Sequence, residues 1–104
     1  MIEFHVTFSD MVSAREVAHA AVDARLAACA NLVPGIISLY WWEGHITQEN
    51  ETLAVFKTSE KKADTLEAFL VKRHPYGIPA VIRHSAVSAN PDYADWIEAE
   101  TATQ

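Results

Sequence analysis

From Leu26 to Trp42 the chain carries no charged side chain, and the stretch ends on three consecutive aromatics, Tyr40, Trp41 and Trp42. Such a run either crosses a bilayer or lies inside a protein. It is barely long enough to span, and Asn31 and the Pro34-Gly35 pair interrupt it. Ile36, Ile37, Leu39, Tyr40, Trp41 and Trp42 favour strands. The run therefore reads as a helix end followed by a long strand, about Ala30 to Trp42, bent or bulged at Pro34-Gly35. No transmembrane span is expected. Because side chains alternate along a strand, the three aromatics must point to both faces. One aromatic face is expected under helices. The other needs a cover, either a second subunit or the closing helix of the same chain, and the pattern favours an oligomer.

The flanking segments give the rest of the order. Ile2, Phe4, Val6 and Phe8 alternate with Glu3, His5 and Thr7, the period of a strand with one face in the core. Ser9 and Asp10 offer helix caps, and Ser13 with Glu16 spells a capping box. Ala14, Val17, Ala18, Ala21 and Ala28 recur at helical spacing, so the first helix is expected to carry all of them. Glu43-Gly44-His45 is the hairpin turn, and a third strand runs from about Ile46 to Thr58. Ser59 caps a second helix that Pro75 stops. A fourth strand covers Ile78 to Val87, and Pro91 to Glu100 closes the chain as a short helix.

The order βαββαβ plus a helix, with right-handed crossovers, predicts an α+β, ferredoxin-like domain. Its four-stranded antiparallel sheet carries two helices on one face. With 104 residues, half of them hydrophobic, residues 1–104 make one domain with a real core. Fourteen acidic residues against eight basic give a net charge of −6, which repels phosphate backbones and argues against nucleic acid as a partner. The single cysteine, Cys29, cannot form an internal disulfide and fits a reducing compartment. No secretory leader pattern opens the chain, so cytoplasm is expected.

Chemistry is argued mostly by exclusion. The third strand lacks the basic, aromatic pattern of an RNA-recognition module, and the loop after the first strand lacks a glycine cradle for an acyl phosphate. His5, His19, His45, His74 and His84 are scattered, with no HxH, HExxH or CxxC spacing. No nucleophile has a recognisable activating context, so no enzyme is expected.

Five blocks then add up: ACANLVPG at Ala28–Gly35, SLYWWEGHI at Ser38–Ile46, FKTS at Phe56–Ser59, HPYGIPAVI at His74–Ile82 and DYADWI at Asp92–Ile97. In this order and spacing they resemble the CutA divalent-cation-tolerance family. The resemblance implies a ferredoxin-like fold, a cytoplasmic homotrimer, tolerance of copper and other divalent cations, and no established enzymatic activity. It also implies architectural kinship with PII signalling proteins, which bind small effectors between subunits.

Trp42, Glu43, Lys57, His74, Tyr76, Tyr93 and Trp96 stand where the family pattern has them, around its inter-subunit clefts. The chain departs from that pattern at Gly77 and Ala80, where acidic or amide residues are usual. It departs again at Val6, where some members have a cysteine, and at Arg73, where some have a histidine. The remaining metal candidates are Glu51 and His74, suited to weak binding of Cu(II) or another divalent cation rather than thiolate-loving Cu(I). The alternative partner is a small anionic or polar effector held in the cleft by Lys57, Tyr76 and Trp42.

Overall fold

The computed structural model describes residues 1–85 and 87–102. The elements run β1 (Ile2–Phe8), α1 (Met11–Asp23), β2 (Cys29–Trp42), β3 (His45–Thr58), α2 (Glu60–Arg73), β4 (Val81–His84) and α3 (Pro91–Glu100). The sheet is antiparallel at every pairing and ordered β2-β3-β1-β4. The expected ferredoxin-like architecture is the one observed.

The core forms where the alternation of β1 meets the small-residue face of α1. Ile2, Phe4, Val6 and Phe8 are buried opposite Thr58, Phe56, Ala54 and Thr52 of β3. Ala14, Val17, Ala18 and Ala21 of α1, with Ala63, Leu66 and Leu70 of α2, close over that face. Alanines keep α1 close to the sheet, so the aromatic rings of β1 and β3 fill the gap.

Several boundaries differ from the sequence reading. Asp10 is the cap of α1: its Oδ1 accepts the Ser13 N–H at 2.7 Å, and that bond holds its carboxyl below the usual range. The helix stops at Asp23, so Ala28 lies beyond it, buried in the lead into β2 rather than on the helix. The stop is made by Arg25, which takes a positive φ of 62° while the Leu26 N–H reaches back to the Ala21 carbonyl. No glycine marks that turn, and an ion pair to Glu100 of α3 at 2.6 Å holds the arginine. Ser59 precedes α2 as expected but makes no side-chain capping bond, its hydroxyl lying 2.9 Å from that of Thr101. β4 is shorter than Ile78–Val87: only Val81–His84 pair with β1, because Pro79 has no N–H to offer a ladder. Ala86, inside the expected strand, lies outside the described residues.

Past Phe8, the hairpin of β2 and β3 continues alone. The last β1–β3 pair is Phe8 with Thr52, whereas β2 and β3 pair on from Ile36–Glu51 to Trp42–His45. A register shift between Val33 and Ile36, with Gly35 at φ 77°, bends the strand where this arm begins. The tip is a two-residue turn with positive φ at both Glu43 (49°) and Gly44 (81°), so His45 belongs to β3 rather than to the turn. The arm gives the molecule its length of 45 Å against 24 and 21 Å in the other directions.

Neither face of the arm lies under a helix, contrary to the expectation for one aromatic face. Trp41 is 73% exposed and Trp42 56%. The closing helix does not fold back over them either, since α3 docks at the opposite end through buried Ile97 and through Thr101 beside Ser59. Among the described residues no helix is long and apolar enough to cross a membrane.

Phe56 is fully buried on the central strand and packs under both helices. Phe56→Ala should cost about 3–5 kcal/mol of stability, measured by denaturant unfolding with an unchanged m value. A loss below about 1 kcal/mol would mean that this layer is not the core.

Candidate functional site

The sequence-derived site residues fall into three places along one sheet face. β3 alternates so that Lys57, Val55, Leu53, Glu51 and Glu49 share the face away from the helices. Lys57 stands at one end of this row, Glu51 near its middle, and the Trp42–Glu43 tip beyond its far end.

At the base, register sets Lys57 beside Glu3 of β1 and Cys29 of β2. The Lys57 Nζ donates to Asn31 Oδ1 at 2.8 Å and sits 5.7 Å from the centre of the Tyr93 ring. Tyr93 leans on Trp96, ring centres 5.7 Å apart, and its Oη lies 3.5 Å from Cys29 Sγ. That contact, then burial and the nearby Cys29 and Glu3, push the Tyr93 phenol up. Cys29 is thus half-buried in a polar contact. The result is one cation set against the Tyr93 ring and bonded to an amide, with Trp96 on Tyr93.

In the middle, Tyr76 Oη donates to Glu51 Oε2 at 2.6 Å. His74 is buried, stacked on Phe8 with ring centres 4.3 Å apart. Its Nε2 lies 2.7 Å from the Thr7 carbonyl, which can only accept, so the proton is on Nε2. Nδ1 then accepts the Tyr76 N–H at 3.1 Å. The structure therefore brings Glu51 and His74 together through Tyr76, but both ring nitrogens and one carboxylate oxygen are engaged. As a ready-made cation site this set does not fit, because a metal would have to displace Tyr76 or the Thr7 carbonyl. Glu49 stands beside Glu51 on the same face, where it accepts a hydrogen bond from Tyr40.

At the tip, Trp42 and Glu43 are exposed, and about 40 Å of extended chain separates them from Lys57. Within one chain they do not meet the base. Of the departures from the family pattern, Val6 points into the core, Gly77 and Ala80 are exposed, and Arg73 covers the Phe69 ring at 4.7 Å. Among the described residues no three His, Cys, Asp or Glu side chains stand close enough to share a metal ion.

All three tyrosines are perturbed in one direction. Tyr40 is pushed up to about 12, chiefly by its bond to Glu49. Burial and then Glu51 raise Tyr76, and Tyr93 is raised as above. Folding thus favours the protonated phenols. The stability this adds is complete below the unfolded value near 10 and is lost as pH rises toward about 12. An ultraviolet titration of the native protein should show almost no tyrosinate at pH 10.5, while the denatured chain should be more than half ionised there. Normal titration of two or more tyrosines in the native protein would contradict the contacts with Cys29, Glu49 and Glu51.

Comparison with known proteins is consistent across sequence and structure. Residues 2–100 match the family model described as CutA1 divalent ion tolerance protein. The divalent-cation tolerance protein CutA of Pyrococcus horikoshii is 40% identical over 97% of this chain and 98% of its own length. The chloroplastic protein CutA 1 of Oryza sativa is 35% identical over 96% of this chain, which spans only 56% of that relative. The crystal structure of the divalent ion tolerance protein CutA1 from Ehrlichia chaffeensis superposes with a TM-score of 0.93 at 26% identity, covering 98% of this chain and 95% of that one. With the family model spanning nearly the whole sequence and the fold reproduced in solved relatives, this chain belongs to the CutA1 divalent ion tolerance family.

Proposed function

We propose that this protein serves divalent-cation tolerance as a non-enzymatic, cytoplasmic homotrimer that binds metal weakly. The observation that carries the proposal is the arm. Ile37, Leu39, Trp41 and Ile46 share one of its faces and are each between 61% and 73% exposed. A two-stranded ribbon is marginal by itself in water, and a continuous apolar strip on it calls for a cover. A second copy suits the surface best. The arm ends in Glu43, the base it would reach carries Lys57 against the Tyr93 ring with Trp96 behind that ring, and both sheet edges, β2 and the short β4, are open to further pairing. An arm seated on the next subunit's base is a contact that closes into a ring, and the family resemblance supports three members.

Metal enters this reading through the divalent ion tolerance for which the family is named. Glu51 and His74 are the donors proposed from the sequence. Their engagement with Tyr76 and the Thr7 carbonyl supports weak rather than tight uptake there. A second reading, a trimer whose clefts bind a small anionic effector, is favoured by the Lys57 ammonium held against Tyr93. In it, Trp42 and Tyr76 would add aromatic and hydroxyl contacts once the arm of one copy meets its neighbour.

Sedimentation equilibrium should give about three times the 11.5 kDa chain mass at micromolar concentration. Trp41→Lys combined with Ile46→Lys should shift the protein to the monomer, because two ammonium groups cannot be left dry in that strip. A clean wild-type monomer would overturn the assembly. For the effector reading, Lys57→Gln should weaken binding of a nucleoside triphosphate about tenfold by calorimetry, and equal binding by both proteins would reject it.

A further inference from the structure

Along β2 and β3 the regular ladder breaks at one level. Val33 pairs with Leu53 and Ile36 with Glu51, so Pro34 and Gly35 together face the single residue Thr52. Pro34 has no N–H to give, and Gly35 takes a φ of 77° with nothing within 4 Å of where a Cβ would stand. The glycine is there for its backbone angle and not for room. On the other flank of β3, Thr52 is also the last residue with a partner in β1, namely Phe8. One line across the sheet therefore carries a bulge on one side and the end of β1 on the other. Four strands packed under helices lie before it and a bare ribbon after it, which makes it the most compliant place in the sheet.

A side-chain bond spans this line. Glu51 is the first β3 residue past it, only 8% exposed, and its Oε2 accepts the Tyr76 hydroxyl at 2.6 Å. Tyr76 is anchored on the domain side. Its N–H donates to His74 Nδ1, while the His74 ring lies on Phe8 and its Nε2 donates to the Thr7 carbonyl. The segment thus passes round the end of β1, from Phe8 on the helix side to Glu51 on the other. A buried carboxylate that lost this hydroxyl would be left short of a partner, so the bond favours one angle of the arm. Tyr40 and Glu49 make the same kind of bond further out, but both belong to the arm, so that bond stiffens the ribbon without crossing the line.

We propose that the arm is hinged at Pro34-Gly35 and Thr52, and that the Tyr76–Glu51 bond is the latch that holds it at one angle to the domain. Latched, the arm presents Ile37, Leu39, Trp41 and Ile46 in a single orientation, so a second copy does not have to order a swinging ribbon in order to cover them. Unlatched, that ordering falls on association. The effect on association rests on the assembly reading above, whereas the hinge and the latch belong to the single chain.

The test is double electron–electron resonance on the full chain with Cys29→Ser and spin labels at two exposed positions, Lys61→Cys on α2 and His45→Cys at the arm tip. Trp41→Lys and Ile46→Lys keep a second copy from holding the arm, and dilution into unlabelled chains ensures that each distance is read within one chain. With the latch intact the distance distribution should be narrow. Tyr76→Phe should widen it about twofold, as expected of a hinge set free to absorb backbone rotation. Glu51→Ala should widen it equally, and the two together no further, because they break one bond. Glu51→Gln should keep it narrow, since an amide oxygen still accepts from the phenol. Tyr40→Phe should also keep it narrow, and circular dichroism should be unchanged throughout. In otherwise unaltered protein, Tyr76→Phe should raise the dissociation constant of the assembly about tenfold by sedimentation. Equal widths with and without Tyr76→Phe would overturn the latch, and so would equal widening by Tyr40→Phe, which would place the bending in the ribbon. The widths decide the latch whether or not the wild-type protein assembles, and a wild-type monomer in sedimentation would remove the assembly reading alone.

Discussion

The ladder between β2 and β3 outlasts every other pairing in the sheet, and the rest of the molecule is arranged around that mismatch in length. Both strands span fourteen residues, whereas β1 has seven and β4 four. Where all four overlap, helices cover one face and a conventional core forms. Beyond Phe8 the same two strands continue with no third strand and no helix, yet β2 stays apolar at Ile36, Ile37, Leu39, Tyr40, Trp41 and Trp42, with Ile46 of β3 across from Trp41. Backbone hydrogen bonds alone do not stabilise such a ribbon in water, since each replaces a bond to solvent and nets little. The arm is therefore the part of the fold that the chain's own helices leave uncovered.

That constraint also gives sense to the polar contacts along the helix-free face. Where the arm leaves the domain, Glu51, Tyr76, His74 and the Thr7 carbonyl form a connected set, with the His74 ring laid flat on Phe8. This clasp fixes the segment after α2 against the root of the arm, and burial together with the bond to Glu51 raises the tyrosine's pKa. Tyr40 and Glu49 repeat the phenol–carboxylate pairing one step further out. At the other end, α3 is held through Thr101, Ile97 and the Arg25–Glu100 ion pair, which presents Tyr93 beside Lys57 and Trp96 against Tyr93. The exposed ion pair itself contributes little energy; its use is to set the left-handed turn that ends α1.

Much of the architecture was legible because it depends on local pattern. The alternation from Ile2 to Phe8, the alanine face of α1 and the Glu43-Gly44 turn each announce their element without reference to the rest of the chain. The errors came where tertiary contact overrides pattern. Ala28 continues the helical spacing, but Arg25 takes a positive φ without a glycine to signal it. Ile78 and Val87 look like strand, but β1 offers partners only at Glu3–Val6. The burial of Trp41 was misjudged because a sequence says which residues need covering and not whether the same chain covers them. The site was legible as residue types and not as bonds: nothing in the order of His74, Pro75 and Tyr76 shows that one tyrosine engages both the histidine and Glu51. The ring contact of His5 with His84 depends on strand register across seventy-nine positions, which no local spacing encodes.

All three tryptophans, at 41, 42 and 96, lie on the surfaces that the arm and the base would bring together, and all are at least 42% exposed in the single chain. Intrinsic fluorescence therefore reports directly on whether another copy covers them. The account predicts emission well to the blue of free tryptophan at micromolar protein, with weak quenching by iodide, and a red shift in Trp41→Lys, Ile46→Lys protein that keeps its circular dichroism. Emission from the wild-type protein at the position of tryptophan in water, freely quenched by iodide, would show that the arm stands uncovered and would contradict the account.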